Sequence, residues 1–266
     1  FQICRCKDCG FQFTHPVPVE AEIGRYYETP DYISHSDTHK GLMNRVYHWV
    51  RRVMLARKAR LVKHNSRLNQ GSLLDIGTGT GYFPHFMQER GWHVSAIEKS
   101  PQARQFAKEH FELDVAAPEA LNEFADKSFD VITLWHVMEH LEHLNETWET
   151  LKRILKDQGI LIIAVPNPTS FDAEKYKEMW GAYDVPRHLW HFSPSVMQQF
   201  GAKHDFILCE RHPMPFDAFY VSMLSEKYRK SAFPFLKGLI AGTEAWIVSL
   251  AKKDRSSSMI YVFRKK

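Results

Sequence analysis

From residue 72 to residue 165, short apolar runs alternate with amphipathic stretches, and this alternation is the strongest pattern in the chain. The runs SLLDI (72–76), HVSAIE (93–98), FDVITLW (129–135) and GILIIAV (159–165) have strand length and are almost wholly apolar, as strands covered on both faces are. Between them, GYFPHFMQERG and SPQARQFAKEHF read as helices, the second with Ser100 as N-cap and Pro101 at its first position. NETWETLKRILKD reads as a third, with Trp148, Leu151 and Leu155 on one face. Strand and helix by turns predict an α/β fold, a parallel sheet with helices on both faces.

Ser193 and Pro194 open another predicted helix, DFILCE (205–210) is strand-like, and SMIYVF (258–263) is a terminal strand. The segment between these two strands, about 211–256, reads as an insertion with helical content. Residues 1–39 are rich in turn formers and aromatics without a sustained period and read as an irregular N-terminal appendage. From Lys40 to Arg67 there is no acid. Lys40, Arg45, Arg51, Arg52, Arg57, Lys58, Arg60, Lys63 and Arg67 accompany an apolar stripe of Val46, Val50, Val53 and Leu61. This predicts a basic amphipathic helix, interrupted or ending near Asn65. The expected organisation is an appendage (1–39), a basic helical region (40–70) and a main domain (71–266).

Composition changes this picture little. With 266 residues, 44% of them hydrophobic, the chain can bury a full core, and a net charge of +4 is too weak to imply a nucleic-acid partner by itself. The four cysteines, Cys4, Cys6, Cys9 and Cys209, do not resemble a secreted disulfide framework, so a reducing, cytoplasmic setting is expected. No signal peptide is visible, although the chain begins at Phe1. FPFLKGLIAGTEAWIVSLA (233–251) is interrupted by Pro234, Lys237 and Glu244 and falls short of the ~18 uninterrupted apolar residues of a membrane span. An acceptor-pocket wall, a dimer contact and a membrane-surface helix remain open for it. RNA phosphates, an anionic lipid surface and an anionic small substrate are open partners for the basic helix, beside a plainly solvated face.

The candidate chemistry gathers at strand ends. DIGTGTG places Gly77, Gly79 and Gly81 after the first strand, with Asp75 still in it, and glycines there allow backbone N–H groups to face a ligand at a helix N-terminus. The third glycine comes one position too early for the nicotinamide fingerprint G-x-G-x-x-G. Glu98, at the end of the second strand, stands where an acid can accept hydrogen bonds from two ribose hydroxyls. The loop, this acid and the FDVI strand together resemble the class I S-adenosylmethionine-dependent methyltransferases over roughly residues 71–210. That resemblance implies a Rossmann-like, doubly wound sheet, mostly parallel with a final antiparallel strand. It implies a cofactor site drawn from Asp75, Gly77, Thr78, Gly79, Gly81, Tyr82, Glu98, Lys99, Trp135 and His136.

HVMEH (136–140) has the spacing of an inverted zincin motif if helical, and a zinc hydrolase is one alternative. It follows FDVITLW directly, however, so His136 is expected at a strand tip, where the His136/His140 face that zinc requires is broken. WHVMEHL is similar to a segment of small-molecule methyltransferases, including the ubiquinone-pathway O-methyltransferase type. On that likeness Trp135 and His136 line the cofactor cleft, while Glu139 and His140 order the loop. The aromatic, histidine-rich WGAYDVPRHLWHFSP (180–194) is similar to an acceptor-side segment of such enzymes, making Asp184, Arg187, His188 and His191 candidates, with His188 as the candidate base.

CRCKDCGFQFTHPVP resembles one knuckle of a zinc ribbon, with Cys6 and Cys9 as ligands and a first knuckle expected upstream. Tyr26, Tyr27 and Tyr32 read as parts of a lid, as in similar enzymes. The expected activity is methyl transfer to a small-molecule acceptor, a sugar or lipid-linked metabolite among the candidates, on oxygen. An RNA or protein methyltransferase and a non-catalytic S-adenosylmethionine-binding module are the alternatives.

Overall fold

A computed structural model describes residues 1–19, 22, 24–26 and 42–266, the side chains of residues 24, 42–47 and 49 excepted. Tyr27, Tyr32 and Lys40, and the side chains of Arg45 and Val46, lie outside the described residues. In chain order the elements are β1 (Gln2–Arg5), β2 (Gln12–His15), α1 (Leu42–Ser66), β3 (Ser72–Ile76), α2 (Tyr82–Gln88), β4 (His93–Ile97), α3 (Pro101–Phe111) and β5 (Phe129–Trp135). They continue as α4 (Leu144–Ile154), β6 (Leu155–Pro166), α5 (Phe171–Tyr176), β7 (Trp190–His191), α6 (Pro194–Lys203), β8 (Phe206–Pro213), α7 (Asp217–Tyr228), α8 (Pro234–Ala251) and β9 (Ser258–Lys265).

The central sheet has six strands in the order β4-β3-β5-β6-β9-β8. β3 runs parallel to β4 and β5, and β9 pairs antiparallel with β8, so the mostly parallel sheet with a final antiparallel strand is present. Its strands are apolar because both faces are covered: Leu73, Leu74, Val131, Ile132, Leu134 and the run Ile160 to Val165 are all buried. Apart from the buried pair Asp75 and Thr133, most polar groups on these strands stand at or near the ends.

By density of contacts the chain divides into two compact units. One comprises residues 18–134 and 150–161. Within it Ala96, Ala107 and Leu113 form a small core under the glycine loop's helix, and Asp130 accepts from Ser72 N–H (2.9 Å), Ser72 Oγ (2.8 Å) and Lys156 Nζ (2.8 Å). In α1, Arg51 lies 3.9 Å over the Tyr82 ring and Lys58 lies 5.7 Å from that of Phe83, so two of its cations cover aromatic faces. The other unit comprises residues 1–17, 135–149 and 162–266. Its centre is Trp148, fully buried, with Phe200, His204, Phe206 and Phe263 ringed around it at centroid distances of 5.7, 5.7, 5.4 and 5.5 Å.

Three expectations need correction. Residues 2–15 are not irregular: β1 and β2 form a hairpin whose second strand also pairs with β7. The turn between them closes through Cys6 N–H to Phe11 O (2.8 Å) and Gly10 N–H to Cys6 O (3.1 Å), with Gly10 at φ 75°. Four-residue strands are too short to show a period, and β7 comes from a distant part of the sequence. The helix after residue 144 ends at Ile154 and not at Asp157, because the N–H groups of Lys127 and Ser128 take the Arg153 and Ile154 carbonyls (3.0 and 2.8 Å) and the chain turns directly into β6. The second sheet strand ends at Ile97, one residue before Glu98. The basic helix runs to Ser66, as its pattern predicts.

Gly201, in α6, offers a packing test, since a Cβ there would lie 2.4 Å from Phe263 Cε1. Alanine should gain roughly 1 kcal/mol in helix propensity and lose about 1–3 kcal/mol by overpacking. Gly201→Ala is expected to lower the urea midpoint. A midpoint equal to or above wild type would show that the Phe263 ring yields freely.

Candidate functional site

The glycine loop sits between β3 and α2. Gly77, Gly79 and Gly81 have φ of 68°, 56° and 83°, conformations that only glycine adopts cheaply. The three differ in what surrounds them. A Cβ on Gly81 would stand 2.9 Å from Ala107 Cβ and 3.1 Å from Leu113 Cδ2, so this glycine allows close packing, whereas a Cβ on Gly79 would meet nothing within 4 Å. Open space lies beside the loop at Gly79.

Glu98 closes on the same loop. Its Oε2 accepts the Gly79 N–H (2.8 Å) and its Oε1 the Ser100 N–H (2.9 Å), while Gly77 and Thr78 N–H bind the Ile97 carbonyl (2.8 and 3.0 Å). A carboxylate has about four acceptor positions, so two remain for further donors. Ser100 caps α3 by accepting the Ala103 N–H, as its sequence context predicts. Lys99 beside it is exposed, and Tyr82, at the start of α2, packs edge-on against Phe111 at 4.9 Å.

Asp75 lies deeper, 2% exposed, accepting a hydrogen bond from Thr133 Oγ1 at 2.6 Å. Burial pushes its carboxyl up to about 6, against the opposing pull of the Thr133 and Thr78 hydroxyls. Asp75 thus stands inside β3, two residues before the loop's first glycine.

The second constellation belongs to the other unit. Trp135 is buried at the tip of β5, and His136 follows at φ 59°, a left-handed conformation uncommon for a side chain of this size. The peptide is held there by its N–H on Ala164 O (2.9 Å). The His136 ring bonds Asp217 Oδ2 through Nε2 (3.1 Å) and faces Glu139 Oε1 across 3.4 Å. Burial alone would lower its pKa, but these two carboxylates outweigh it and raise it to about 10. Residues 138–140 form a single 3-10 turn, so His136 and His140 do not share an α-helical face.

Into this turn comes the segment 184–191. His188 bonds Ala182 O through Nδ1 (2.9 Å), His140 bonds Arg187 O through Nδ1 (3.0 Å), and the two rings meet edge to face at 4.6 Å. Arg187 pairs with Asp184. Burial holds His140 down at about 4, helped by His188, and burial holds His191 at about 3. Thr14 of β2 donates to His188 O (2.6 Å) and lies 3.2 Å from His191 Nε2. Of the sequence candidates, His136, His140, His188, Asp184, Arg187 and His191 thus lie in one unit, and Asp75, the glycines, Glu98 and Lys99 in the other. Asp217 and Thr14 were not candidates from sequence; each lies far from its partner along the chain and carries no motif.

Comparison with known proteins gives the family. A family described as a methyltransferase domain matches residues 46–209, more than half of the chain. The chain belongs to the methyltransferase-domain family. An uncharacterized methyltransferase of Staphylococcus carnosus is 33% identical over 111 residues, 41% of this chain and 52% of that protein. The mitochondrial ubiquinone biosynthesis O-methyltransferase of Schizosaccharomyces pombe is 30% identical over 105 residues, 36% of this chain and 38% of that one. The methyltransferase-domain chain therefore matches 52% and 38% of the length of these two curated relatives. The crystal structure of the Burkholderia thailandensis 1,6-didemethyltoxoflavin-N1-methyltransferase superposes with a TM-score of 0.58 at 12% identity, covering 100% of both chains, and this likeness is one of fold.

In this methyltransferase-domain chain, Cys6 and Cys9 flank the hairpin turn, and the Cys9 and Asp8 backbone N–H groups draw the Cys6 thiol pKa down. Among the described residues, no third metal-ligating side chain joins these two. Also among the described residues, no helix is long and apolar enough to cross a membrane.

Asp75 generates a pH-dependent expectation. Its folded pKa of about 6 lies above the model-peptide value of 3.8, so the folded state binds the proton more tightly and stability falls as pH rises from 3.8 to 6. Asp75→Asn removes that loss. The stability of the variant relative to wild type should rise by about 2–3 kcal/mol between pH 3.5 and pH 7.5. Urea unfolding at both pH values checks this, and an unchanged difference would contradict it.

Proposed function

We propose that the chain binds S-adenosylmethionine at Gly77 to Gly81 and Glu98 and transfers its methyl group to a small-molecule acceptor, on oxygen. The observation that carries this reading is the pairing of Glu98, with acceptor capacity to spare, and Gly79, with open space where a side chain would stand. A carboxylate with two unused acceptor positions suits a vicinal diol, and backbone with no Cβ lets a ligand approach closely. The residues present therefore fit a nucleoside ligand. Gly77, Thr78, Gly79, Gly81, Tyr82, Glu98 and Lys99 would hold it, with Asp75 supporting the loop from below. When bound, S-adenosylmethionine supplies a methyl group already activated on a sulfonium, so the protein's work is alignment and exclusion of water.

Oxygen as the target is supported by the Schizosaccharomyces pombe relative, an O-methyltransferase of ubiquinone biosynthesis. A hydroxyl acceptor has to lose a proton, and His188 could receive it only through Nε2, because Nδ1 is committed to the Ala182 carbonyl. An apolar acceptor suits the exposed Phe233, Phe235, Leu236 and Ile240 of α8 and the turn before it. In this reading residues 71–266 are the methyltransferase domain, with helices α7 and α8 as its insertion, and residues 1–39 and 40–70 are attached regions. A zinc ion at Cys6 and Cys9 would have only two of the usual four ligands from the hairpin turn, so nothing in the proposal passes through it.

Calorimetric titration with S-adenosylmethionine and with its demethylated product tests the reading. Wild type should bind both. Glu98→Ala is expected to weaken binding by about 10–100-fold, the value of losing charge-assisted hydrogen bonds of about 1.5–3 kcal/mol. In Gly79→Ala the added methyl meets no protein atom and the left-handed φ costs about 1–2 kcal/mol, so the variant should remain folded, less stable, and bind more weakly. Failure of wild type to bind either ligand would overturn the proposal. Binding without turnover on any hydroxylated acceptor would favour a non-catalytic binding module.

A further inference from the structure

We propose that Glu139, His140 and His188 form a binding site for one divalent transition-metal ion of the zinc type. Each offers one ligand atom, and the three atoms lie within 4.8 Å of one another. Around a tetrahedral ion with bonds of about 2.0–2.2 Å, ligand atoms stand roughly 3.3–3.6 Å apart, so the cluster contracts by at most about 1.5 Å on binding.

The state of the three side chains is what singles this cluster out. Glu139 is 1% exposed, and neither of its carboxylate oxygens receives a hydrogen bond. A buried carboxylate in that condition is expensive unless a cation compensates it. The His136 ring faces Oε1 across 3.4 Å and compensates part of that charge, but it forms no hydrogen bond, so both oxygens keep their acceptor positions.

The two histidines are held in a matching way. A backbone carbonyl can only accept, so the contacts of His140 Nδ1 to Arg187 O (3.0 Å) and of His188 Nδ1 to Ala182 O (2.9 Å) place the hydrogen of each neutral ring on Nδ1. The lone pair of each ring is then on Nε2. Metal-bound histidines are oriented in this manner, with the non-ligating N–H on a carbonyl or carboxylate. His188 Nε2 is 3.8 Å from Asp184 Oδ2, too far for a hydrogen bond.

The backbone beneath the ligands is fixed by the chain itself. Leu189 N–H donates to Glu139 O (2.8 Å), Trp190 Nε1 to Leu141 O (2.6 Å) and Thr14 Oγ1 to His188 O (2.6 Å). Two imidazoles and one carboxylate suit zinc and its neighbours in the first transition row better than magnesium or calcium. Three protein ligands leave one position for water or for an oxygen of a small molecule. His188 is then a ligand, and a hydroxyl bound to the ion would have its pKa lowered and would release its proton to solvent water instead of to a histidine. That last consequence rests on the proposed methyl transfer; the site itself does not.

The test uses the full chain carrying Cys6→Ser and Cys9→Ser, which removes the hairpin thiols, stripped with chelator and titrated with Zn²⁺ by calorimetry in the absence of any methyl donor. One zinc per chain is expected. Glu139→Gln and His188→Gln, each added to this background, should weaken it by more than about 100-fold, the upper end of what loss of a mere orienting partner costs. Circular dichroism checks that these variants remain folded. Absence of zinc binding in the double-serine chain, or unchanged affinity in folded glutamine variants, would overturn the proposal. Should the glutamine variants unfold, the Co²⁺ spectrum of the double-serine chain decides: visible bands of nitrogen and oxygen coordination support the site, and no such bands refute it.

Discussion

A strand covered on both faces can carry polar chemistry only where it leaves the sheet. β3, β4 and β5 are such strands, with Leu73, Leu74, Ala96, Ile97, Val131 and Ile132 buried along them. Glu98, the glycine loop and His136 therefore follow directly after β4, β3 and β5. Asp75 and its partner Thr133 are exceptions inside buried strands, and the raised pKa of the Asp75 carboxyl is the physical mark of that position. The same covering that makes the sheet stable determines which residue numbers are available for binding.

This constraint also explains how far the sequence could be read. Apolar runs of strand length ending in Gly77 or in Glu98 announce the sheet and where its strands end, and Ser100-Pro101 and Ser193-Pro194 announce helix starts that the structure caps as expected. Local chemistry of this kind is written in adjacent letters. The Asp217 contact to His136 and the Thr14 contact to His188 are not, since they span 81 and 174 positions. Nor could periodicity show that Arg153 and Ile154 lose their helical continuation to the N–H groups of a turn at 127–128. Where an outcome depends on a distant backbone donor, composition and spacing carry no information about it.

HVMEH illustrates the difference between a motif and a site. Its letters suggest two histidines on one helical face, but the positive φ at His136 and the 3-10 turn at 138–140 send the side chains apart. His136 turns to Asp217, and His140 turns to the segment that carries His188. Neighbours in sequence thus serve two different partners. The basic helix is a similar case: a run of cations looked like a surface for phosphates, yet Arg51 and Lys58 lie over Tyr82 and Phe83. Some of that charge works locally, as a cover for aromatic rings at the start of α2.

The pairing of β2 with the two-residue β7 has a consequence for how this chain can change over evolutionary time. The hairpin contributes Thr14 to His188 and His191, while the glycine loop belongs to the unit that contains none of residues 1–17. A lineage that lost the hairpin would keep Gly77 to Gly81 and Glu98 but lose a brace for the histidine segment. The glycine loop and the histidine segment are therefore separable features, open to independent gain and loss. Divergence at the amino terminus would be expected to alter the histidine segment first, through the contacts of Thr14.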